Sequence, residues 1–331
     1  MRLTLPGLFD LQVNGFAGID FNAADLAADG LAEAIERMRA TGVTRCLPTL
    51  ITSSFDRFAR NARILADAVD PAVAGIHMEG PYVSPAEGAR GAHPLEHVAP
   101  ADVDDFERRQ DAARGRIALV TLAPEAPGAL ALIEHLVAQG VRVAIGHTAA
   151  APDALGDAVS AGATLATHLG NGCAQMLPRH PNVIWELLAE DALHASMIAD
   201  GHHLPASTLK AMIRAKGIER SILVTDAMAA AGCDRRAAAS RRQRFTIGDV
   251  ECALADDGRV SLPGTPYLAG SSLTLDRAIA NTVRATGLPI EAVIPMASTI
   301  PAACVGLAAA GTITAEWDRD SFDLRICSVA P

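Results

Sequence analysis

The feature that most constrains this chain is a repeated alternation of short apolar runs with amphipathic helical segments. Apolar or β-branched runs occupy residues 7–13, 45–50, 73–79, 117–122, 142–147, 164–169, 195–200 and 221–226. Segments between them, such as 25–41, 127–139, 152–161 and 205–216, have helical periodicity. Because strands that alternate with helices pair in parallel, the eight runs predict an α/β fold, a closed (β/α)₈ TIM barrel, with an open doubly wound sheet as the alternative.

The chain changes character after the eighth run. Residues 229–269 are rich in Gly, Pro and Arg, and Asp257-Gly258 is a turn signal inside a hairpin-like segment over 244–262. Residues 271–286, 289–298 and 301–308 are predicted as closing helices, and 311–331 as short strands. We therefore predict a barrel over residues 1–308, with a hairpin insertion at about 240–265, and a separate β segment over 309–331.

Charge and composition argue against several classes of partner. The net charge is -10 at pH 7, whereas nucleic acids and anionic membranes attract proteins with concentrated positive charge. No run approaches the roughly 20 apolar residues that span a bilayer, and residues 1–7 lack the apolar core of a secretory signal. The six cysteines include no Cys-x-x-Cys pair, so we expect isolated thiols. We predict a cytoplasmic protein whose partner is neither nucleic acid nor membrane.

Polar and ionisable side chains collect where the predicted strands end. They are Gln12, Asn14, Glu79, His147, His168, Asn171, Asp200, His202, His203 and Asp226. The carboxyl ends of barrel strands meet at one mouth, where active sites are built, while the opposite face serves stability. The pattern therefore predicts an enzyme.

Four of these residues form a set suited to metal-assisted hydrolysis. Two imidazoles and one carboxylate, from His147, His168 and Glu79, can hold Zn²⁺ with an open position for water. Asp226, on another strand, can then act as the base toward that water. The alternative for each residue alone is structural, because strand-end histidines are commonly hydrogen-bonded and carboxylates commonly cap the next helix. The coincidence at four strand ends favours the metal site.

Seven ordered motifs resemble those of the N-acetylglucosamine-6-phosphate deacetylases, within the amidohydrolase superfamily. They are 6–15 (PGLFDLQVNG), 77–81 (HMEGP), 146–148 (GHT), 167–171 (THLGN), 198–203 (IADGHH), 224–227 (VTDA) and 270–274 (GSSLT). The family builds a small β-sandwich from both chain ends. By this resemblance, residues 309–331 are the remnant of that sandwich, and most of its N-terminal half is missing.

The resemblance also implies roles for individual residues. Glu79, His147 and His168 correspond to the ligands of one divalent metal ion, Zn²⁺, and Asp226 to the general base that becomes the general acid. The family's sugar-binding loop histidine corresponds to His93. Its phosphate-binding residues correspond to Asn171 with Gly172, Arg179 and His203.

Two features set this chain apart from other amidohydrolases. Many of them hold a second metal with a His-x-His pair on strand one and a carbamylated lysine, whereas this chain has Gln12 and Asn14 there. Its only lysines, Lys210 and Lys216, lie in the helix after strand seven. We therefore predict a mononuclear site. His77, two residues before Glu79, shares its strand face, and we predict a structural role for it. Gly170 and Gly172 also depart from the family's usual loop and indicate a different phosphate pocket.

The predicted function is hydrolysis of the acetamide of N-acetylglucosamine 6-phosphate, which gives glucosamine 6-phosphate and acetate. One alternative is deacylation of another N-acyl sugar or an N-acyl amino acid. A second alternative is a barrel that binds a ligand without turnover. Family members are often dimers that complete the phosphate site across the interface, so the resemblance also implies a homodimer.

Overall fold

The computed structural model describes residues 1–234 and 244–330, and its strands follow the predicted alternation. Up to the eighth barrel strand they are β1 (Arg2–Pro6), β2 (Leu8–Val13), β3 (Gly15–Phe16), β4 (Ile19–Asp20), β5 (Val43–Ile51), β6 (Ile76–Glu79), β7 (Ile117–Leu122), β8 (Arg142–Ile145), β9 (Leu165–Ala166), β10 (His194–Ile198) and β11 (Ser221–Val224). β2 and β5 to β11 form one parallel sheet in which each strand pairs with the next along the chain.

The first and last strands of this sheet meet, which closes the barrel. The Asp226 N–H donates to the Gln12 carbonyl at 2.9 Å, and the Asn14 N–H donates to the Ala227 carbonyl at 2.7 Å. The (β/α)₈ barrel is therefore confirmed, and the open sheet is excluded. Closure also places residues that follow β2 beside residues that follow β11.

Helices cover the outside of the barrel and share one continuous apolar core with it. They are α1 (Ala28–Arg39), α2 (Phe55–Ala66), α3 (Val103–Ala112), α4 (Ala129–Ala138), α5 (Pro152–Ser160), α6 (Val183–Ala189), α7 (Ala206–Lys216), α8 (Leu275–Thr286), α9 (Ile290–Val293) and α10 (Thr299–Cys304), with 3₁₀ turns at Leu95–His97, Ile218–Arg220 and Ile294–Ala297. Local chemistry sets their ends: Asn182 Oδ1 accepts hydrogen bonds from the N–H groups of Ile184 and Trp185 and so starts α6. Within the described ranges, no helix is both long and apolar enough to cross a membrane.

A small antiparallel sheet joins the two chain ends. It contains β1, β15 (Thr312–Asp318) and β16 (Asp323–Ala330), with β15 in the middle. The sequence-based boundary assigned residues 1–308 to the barrel, but β1 pairs with β15 from Arg2 to Pro6. The division into two domains stays a prediction, and residue 331 lies outside the described residues.

A second small sheet follows the eighth barrel strand. It consists of β12 (Phe245–Ile247), β13 (Val250–Leu254) and β14 (Val260–Ser261), in antiparallel order. Phe245 and Ile247 pack with Ile51 and Met228 beside the barrel mouth. The predicted start of the insertion, at about residue 240, lies outside the described residues. The sheet and the segment after it form one wall of the site described next.

Candidate active site

Three side chains from three barrel strands converge at the mouth. Glu79 ends β6, and His147 and His168 each follow a strand, β8 and β9, by two residues. Glu79 Oε1 lies 3.2 Å from His147 Nε2 and 3.1 Å from His168 Nε2, and the two Nε2 atoms are 3.0 Å apart. All three side chains are buried. The structure thus brings together the predicted metal ligands.

The backbone at this mouth adopts a conformation that residues with a Cβ atom seldom take. His147, His168 and Asp226 have φ values of 50°, 32° and 49°, in the left-handed region that normally favours glycine. Such strain persists only where the surrounding structure imposes it, and it concentrates at functional sites. Each of these residues lies two positions after its strand, so the turn there directs its side chain over the barrel mouth.

The donor atoms fit a divalent metal. The His147 Nδ1–H donates to the Ala89 carbonyl at 3.0 Å, so Nε2 is the nitrogen that faces Glu79 and His168. A buried carboxylate oxygen this close to two imidazole nitrogens needs a positive charge beside it, which a proton or a metal ion supplies. Ligand atoms that share one tetrahedral zinc ion are about 3.3 Å apart, close to the separations found here. These three side chains therefore form a possible metal-binding site.

Two amides on the first barrel strand and its end orient the two carboxylates of the site. Gln12 Nε2 donates to Glu79 Oε1 at 2.8 Å, and Asn14 Nδ2 donates to Asp226 Oδ1 at 2.7 Å. Neither carboxylate caps any of the described helices, which argues against the capping alternative for Glu79 and Asp226. Burial alone would raise the pKa of Glu79, but contacts with His147 and His168 lower it well below its ordinary value. Glu79 is therefore ionised.

Asp226 is in a different electrostatic environment. Burial, and after it the neighbouring Glu79 charge, raise its pKa to about 6 against the opposing effects of His168, His203 and Asn14. A carboxylate with a pKa near neutrality can both take and return a proton. The environment of Asp226 therefore suits a general acid and base, the role predicted from the sequence.

A cavity of about 410 Å³ opens above these residues. Of the predicted substrate-binding residues, its lining includes His93, Asn171, Gly172 and His203. His93 Nδ1 lies 2.8 Å from Thr52 Oγ1, and the His93 ring packs edge-on against that of His147 at 4.2 Å. Burial lowers the pKa of His93 well below its ordinary value, so this imidazole is neutral. Metal-binding and substrate-binding candidates therefore share one cavity.

Gly172 allows its loop to approach the two histidines. Its φ is +57°, and a Cβ atom there would lie 3.1 Å from both His147 Nδ1 and His168 Cε1. The Gly172 carbonyl also accepts a hydrogen bond from the Thr148 N–H at 3.1 Å. A larger residue would therefore push the loop away from the histidine pair.

Comparison with known proteins agrees with this geometry. The model of the amidohydrolase family matches residues 3–321. The chain belongs to the amidohydrolase family. It is 32% identical over 325 residues to an N-acetylglucosamine-6-phosphate deacetylase from Lysinibacillus sphaericus, covering 97% of this chain and 81% of that protein. It is 33% identical over 312 residues to an N-acetylgalactosamine-6-phosphate deacetylase from Escherichia coli O157:H7, covering 92% and 79%.

A solved amidohydrolase structure has the same fold. The N-acetyl-D-glucosamine-6-phosphate deacetylase from Mycobacterium smegmatis superimposes with a TM-score of 0.88 at 31% identity, covering 99% of this chain and 86% of that one. The barrel and the resemblance stated above are thereby confirmed. This chain is a metal-dependent hydrolase.

The residues that other amidohydrolases use for a second metal are used differently here. Gln12 and Asn14 present amide donors to carboxylates. Lys216 lies outside the barrel, where Nζ donates to the carbonyls of Leu187 and Glu190 at the end of α6. Among the described residues, Glu79, His147 and His168 are the one group of three placed to hold a metal.

His77 lies below the cluster, within the barrel. Its Nε2 lies 2.7 Å from Thr121 Oγ1, and its Nδ1 lies 3.4 Å from Thr49 Oγ1. Burial lowers its pKa to about 4, so the ring is neutral. These contacts support the structural role predicted for His77.

Arg179 is the predicted site residue that the structure does not place in the cavity. It is exposed on the loop before α6 and is absent from the cavity lining. Sequence reasoning also missed several contributors: Thr52, which contacts His93, and Ile247, Tyr267 and Leu268 from the segment after β11. Thr52 directly follows β5 and could have been found by strand position. Ile247, Tyr267 and Leu268 could not, because their place depends on how the insertion folds over the mouth.

Proposed function

We propose that this amidohydrolase removes the acetyl group of N-acetylglucosamine 6-phosphate, giving glucosamine 6-phosphate and acetate. One observation carries the proposal: a single cavity is lined both by Glu79, His147, His168 and Asp226 and by Asn171, Gly172 and His203. Hydrolytic groups and groups suited to binding phosphate thus face the same space. The names of the relatives and of the solved neighbour support this substrate class.

Glu79, His147 and His168 would hold one divalent ion, Zn²⁺. When bound, it lowers the pKa of water and polarises the substrate carbonyl. Asp226 takes a proton from the attacking water as the new C–O bond forms at the acetyl carbon. It then donates that proton to the sugar nitrogen as the C–N bond breaks, which releases acetate and the amine.

The remaining residues of the cavity bind the sugar and its phosphate. The neutral His93 ring contacts the sugar. Asn171, the Gly172 backbone and His203 meet the phosphate, and Asp200 Oδ2, at 2.7 Å from His203 Nδ1, fixes that imidazole. A chain with a net charge of -10 needs such local donors to hold an anionic substrate.

Arg179 contributes from a neighbouring subunit in this proposal, because it is exposed and outside its own cavity. The enzyme would then be a homodimer. A mixture of Arg179→Ala and Asp226→Asn chains tests this: one site of each heterodimer would contain both wild-type residues, so activity should exceed that of either variant alone. Cytoplasmic location remains the prediction made from the sequence.

A second candidate substrate is N-acetylgalactosamine 6-phosphate, which the name of the Escherichia coli relative favours. Acetate release by purified protein should be measured on both sugar phosphates, on the unphosphorylated sugars and on N-acetyl amino acids. The main proposal expects the highest kcat/KM on N-acetylglucosamine 6-phosphate. A higher value on another substrate would reassign the enzyme, and no release from any of them would favour a non-catalytic barrel.

Metal dependence is tested on the same preparation. Elemental analysis after dialysis should find one equivalent of divalent ion per chain, because the described residues offer one suitable cluster. Chelation should abolish acetate release, and added Zn²⁺ should restore it. Two retained equivalents per chain would contradict the mononuclear site.

A further inference from the structure

We infer that Asn14 is a positioning residue that holds Asp226 for proton transfer, rather than a degenerate metal ligand. The inference rests on the proposed function, because it assigns Asn14 a part in amide hydrolysis. It concerns a residue that sequence comparison treats only as a poor substitute for histidine. Its basis is the geometry of the seam, the place where residues 12–14 at the end of β2 hydrogen-bond to residues 226–227 after β11 and close the barrel.

The two residues are held side by side by the backbone. The Asn14 N–H donates to the Ala227 carbonyl at 2.7 Å, and the Asp226 N–H donates to the Gln12 carbonyl at 2.9 Å. Across this seam, Asn14 Nδ2 donates to Asp226 Oδ1 at 2.7 Å. Both side chains are buried, at 2% and 8% exposure. The contact therefore depends on barrel closure and not on a mobile surface side chain.

This hydrogen bond makes the two oxygens of Asp226 unequal. Oδ1 accepts the Asn14 amide, while no hydrogen bond to Oδ2 comes from any residue that the structure describes. A carboxylate held through one oxygen keeps a fixed rotamer and leaves the other oxygen to exchange a proton. Proton transfer to water and to the leaving nitrogen is thereby assigned to Oδ2.

A second observation shows that Asn14 faces the reaction space. Its side chain lines the cavity, and its Oδ1 is buried without a partner among the described residues. A buried acceptor without a donor is unfavourable in a folded protein, so a molecule in the cavity is its natural partner. An amide that only supported the fold would have both of its polar atoms satisfied by the chain.

Asn22 provides that contrast and a matched control. It is also buried, at 4% exposure. Its Nδ2 donates to the Thr49 carbonyl at 3.0 Å, and its Oδ1 accepts from the Ile51 N–H at 2.9 Å. Both atoms are satisfied by backbone, and Asn22 does not line the cavity. Asn22→Ala should lower Tm and leave kcat within about twofold of the wild type.

The test compares Asn14→Ala, the nearly isosteric Asn14→Asp and Asn22→Ala, with kcat expressed per metal-loaded chain. Both Asn14 variants should keep one metal and a KM within about threefold, while kcat falls about ten- to a hundredfold, the range for loss of a hydrogen bond to a charged group. If Asn14→Ala does not fold, Asn14→Asp carries the measurement. A kcat within about threefold of the wild type in the folded Asn14 variants would overturn the inference.

A double-mutant cycle separates positioning from general damage. If Asn14 acts through Asp226, adding Asn14→Ala to Asp226→Asn should lower kcat by less than about twofold, because the carboxylate that it positions is already gone. The same loss in both backgrounds would overturn the inference while leaving the deacetylase proposal intact. A wild-type protein that releases no acetate from any substrate would instead overturn both.

Discussion

The two sides of the cavity are built differently. On the strand-end side, Glu79 and Asp226 are buried, and each accepts a hydrogen bond from a side-chain amide, Gln12 in β2 or Asn14 directly after it. On the loop side, between β9 and α6, the lining residues Asn171 and Leu177 are half-buried, and Met176 and Arg179 of the same loop are exposed outside the lining. The position of the strand-end groups follows from sheet register, whereas the position of the loop groups follows from local turns.

This difference assigns catalysis to the strand-end groups and substrate recognition to the loop groups. Groups fixed by the sheet can keep the separations of about 3 Å that the Glu79, His147 and His168 atoms show, which catalysis requires. Loop groups can change without disturbing those atoms. Strand-end substitutions should therefore affect kcat on every substrate, while loop substitutions should affect kcat/KM on particular substrates.

The largest effect is expected at Asp226. Asp226→Asn should retain the fold and one metal but lose about 10²–10⁴-fold in kcat, because an amide cannot accept and return the proton. Acetate release and elemental analysis on the same sample measure both properties. Asp20→Asn is the matched control: Asp20 is also buried with a pKa raised to about 6 by desolvation, but it does not line the cavity. Loss of metal in Asp226→Asn, or comparable loss of kcat in Asp20→Asn, would contradict the assigned role.

The next largest effect is expected on the loop side. Arg179→Ala should lower kcat/KM on the sugar phosphate about ten- to a hundredfold, because charge-assisted hydrogen bonds to phosphate contribute roughly 1.5–3 kcal/mol. The rate on the unphosphorylated sugar should be unchanged. Arg214→Ala, at an exposed arginine on α7, is the control and should match the wild type on both sugars. If Arg179→Ala lowered kcat/KM equally on both sugars, Arg179 would not act through the phosphate, and the proposed difference between the loop side and the strand-end side would be wrong.

The pH dependence of kcat/KM should be set by Asp226 on the strand-end side and not by the loop residues. Asp226 must be ionised to accept a proton, and burial together with the Glu79 charge raises its pKa to about 6. A bound cation favours the ionised form and lowers this pKa. The acid limb of kcat/KM should thus lie at or below about pH 6, with roughly a tenfold loss per pH unit beneath it. Arg179→Ala should show the same limb, and a limb well above pH 6 would argue against Asp226 as the base.

The same division explains what the sequence could predict. The eight strands and the positions of Glu79, His147, His168 and Asp226 follow from local patterns, because a parallel barrel brings all carboxyl strand ends to one mouth. Pairing of β1 with β15 joins residues at opposite ends of the chain, which no local pattern indicates. Likewise, Gln12 and Asn14 were identified as strand-end polar residues, but their roles as amide donors became clear only from the closed seam.

The smallest effect is expected where the segment after β14 meets the cavity. Tyr267 lines the cavity, and its hydroxyl donates to Glu87 Oε1 at 3.1 Å in an exposed contact. Tyr267→Phe removes one solvent-accessible hydrogen bond, worth roughly 0.5–1 kcal/mol, and keeps the ring. KM should rise about two- to fivefold while kcat stays within about twofold, because the contact positions a wall and not the reacting groups. Glu87→Gln should change KM no more than Tyr267→Phe, since its amide oxygen can still accept the hydroxyl. If kcat in Tyr267→Phe fell tenfold or more at unchanged KM, Tyr267 would take part in the chemical step, as the strand-end groups do.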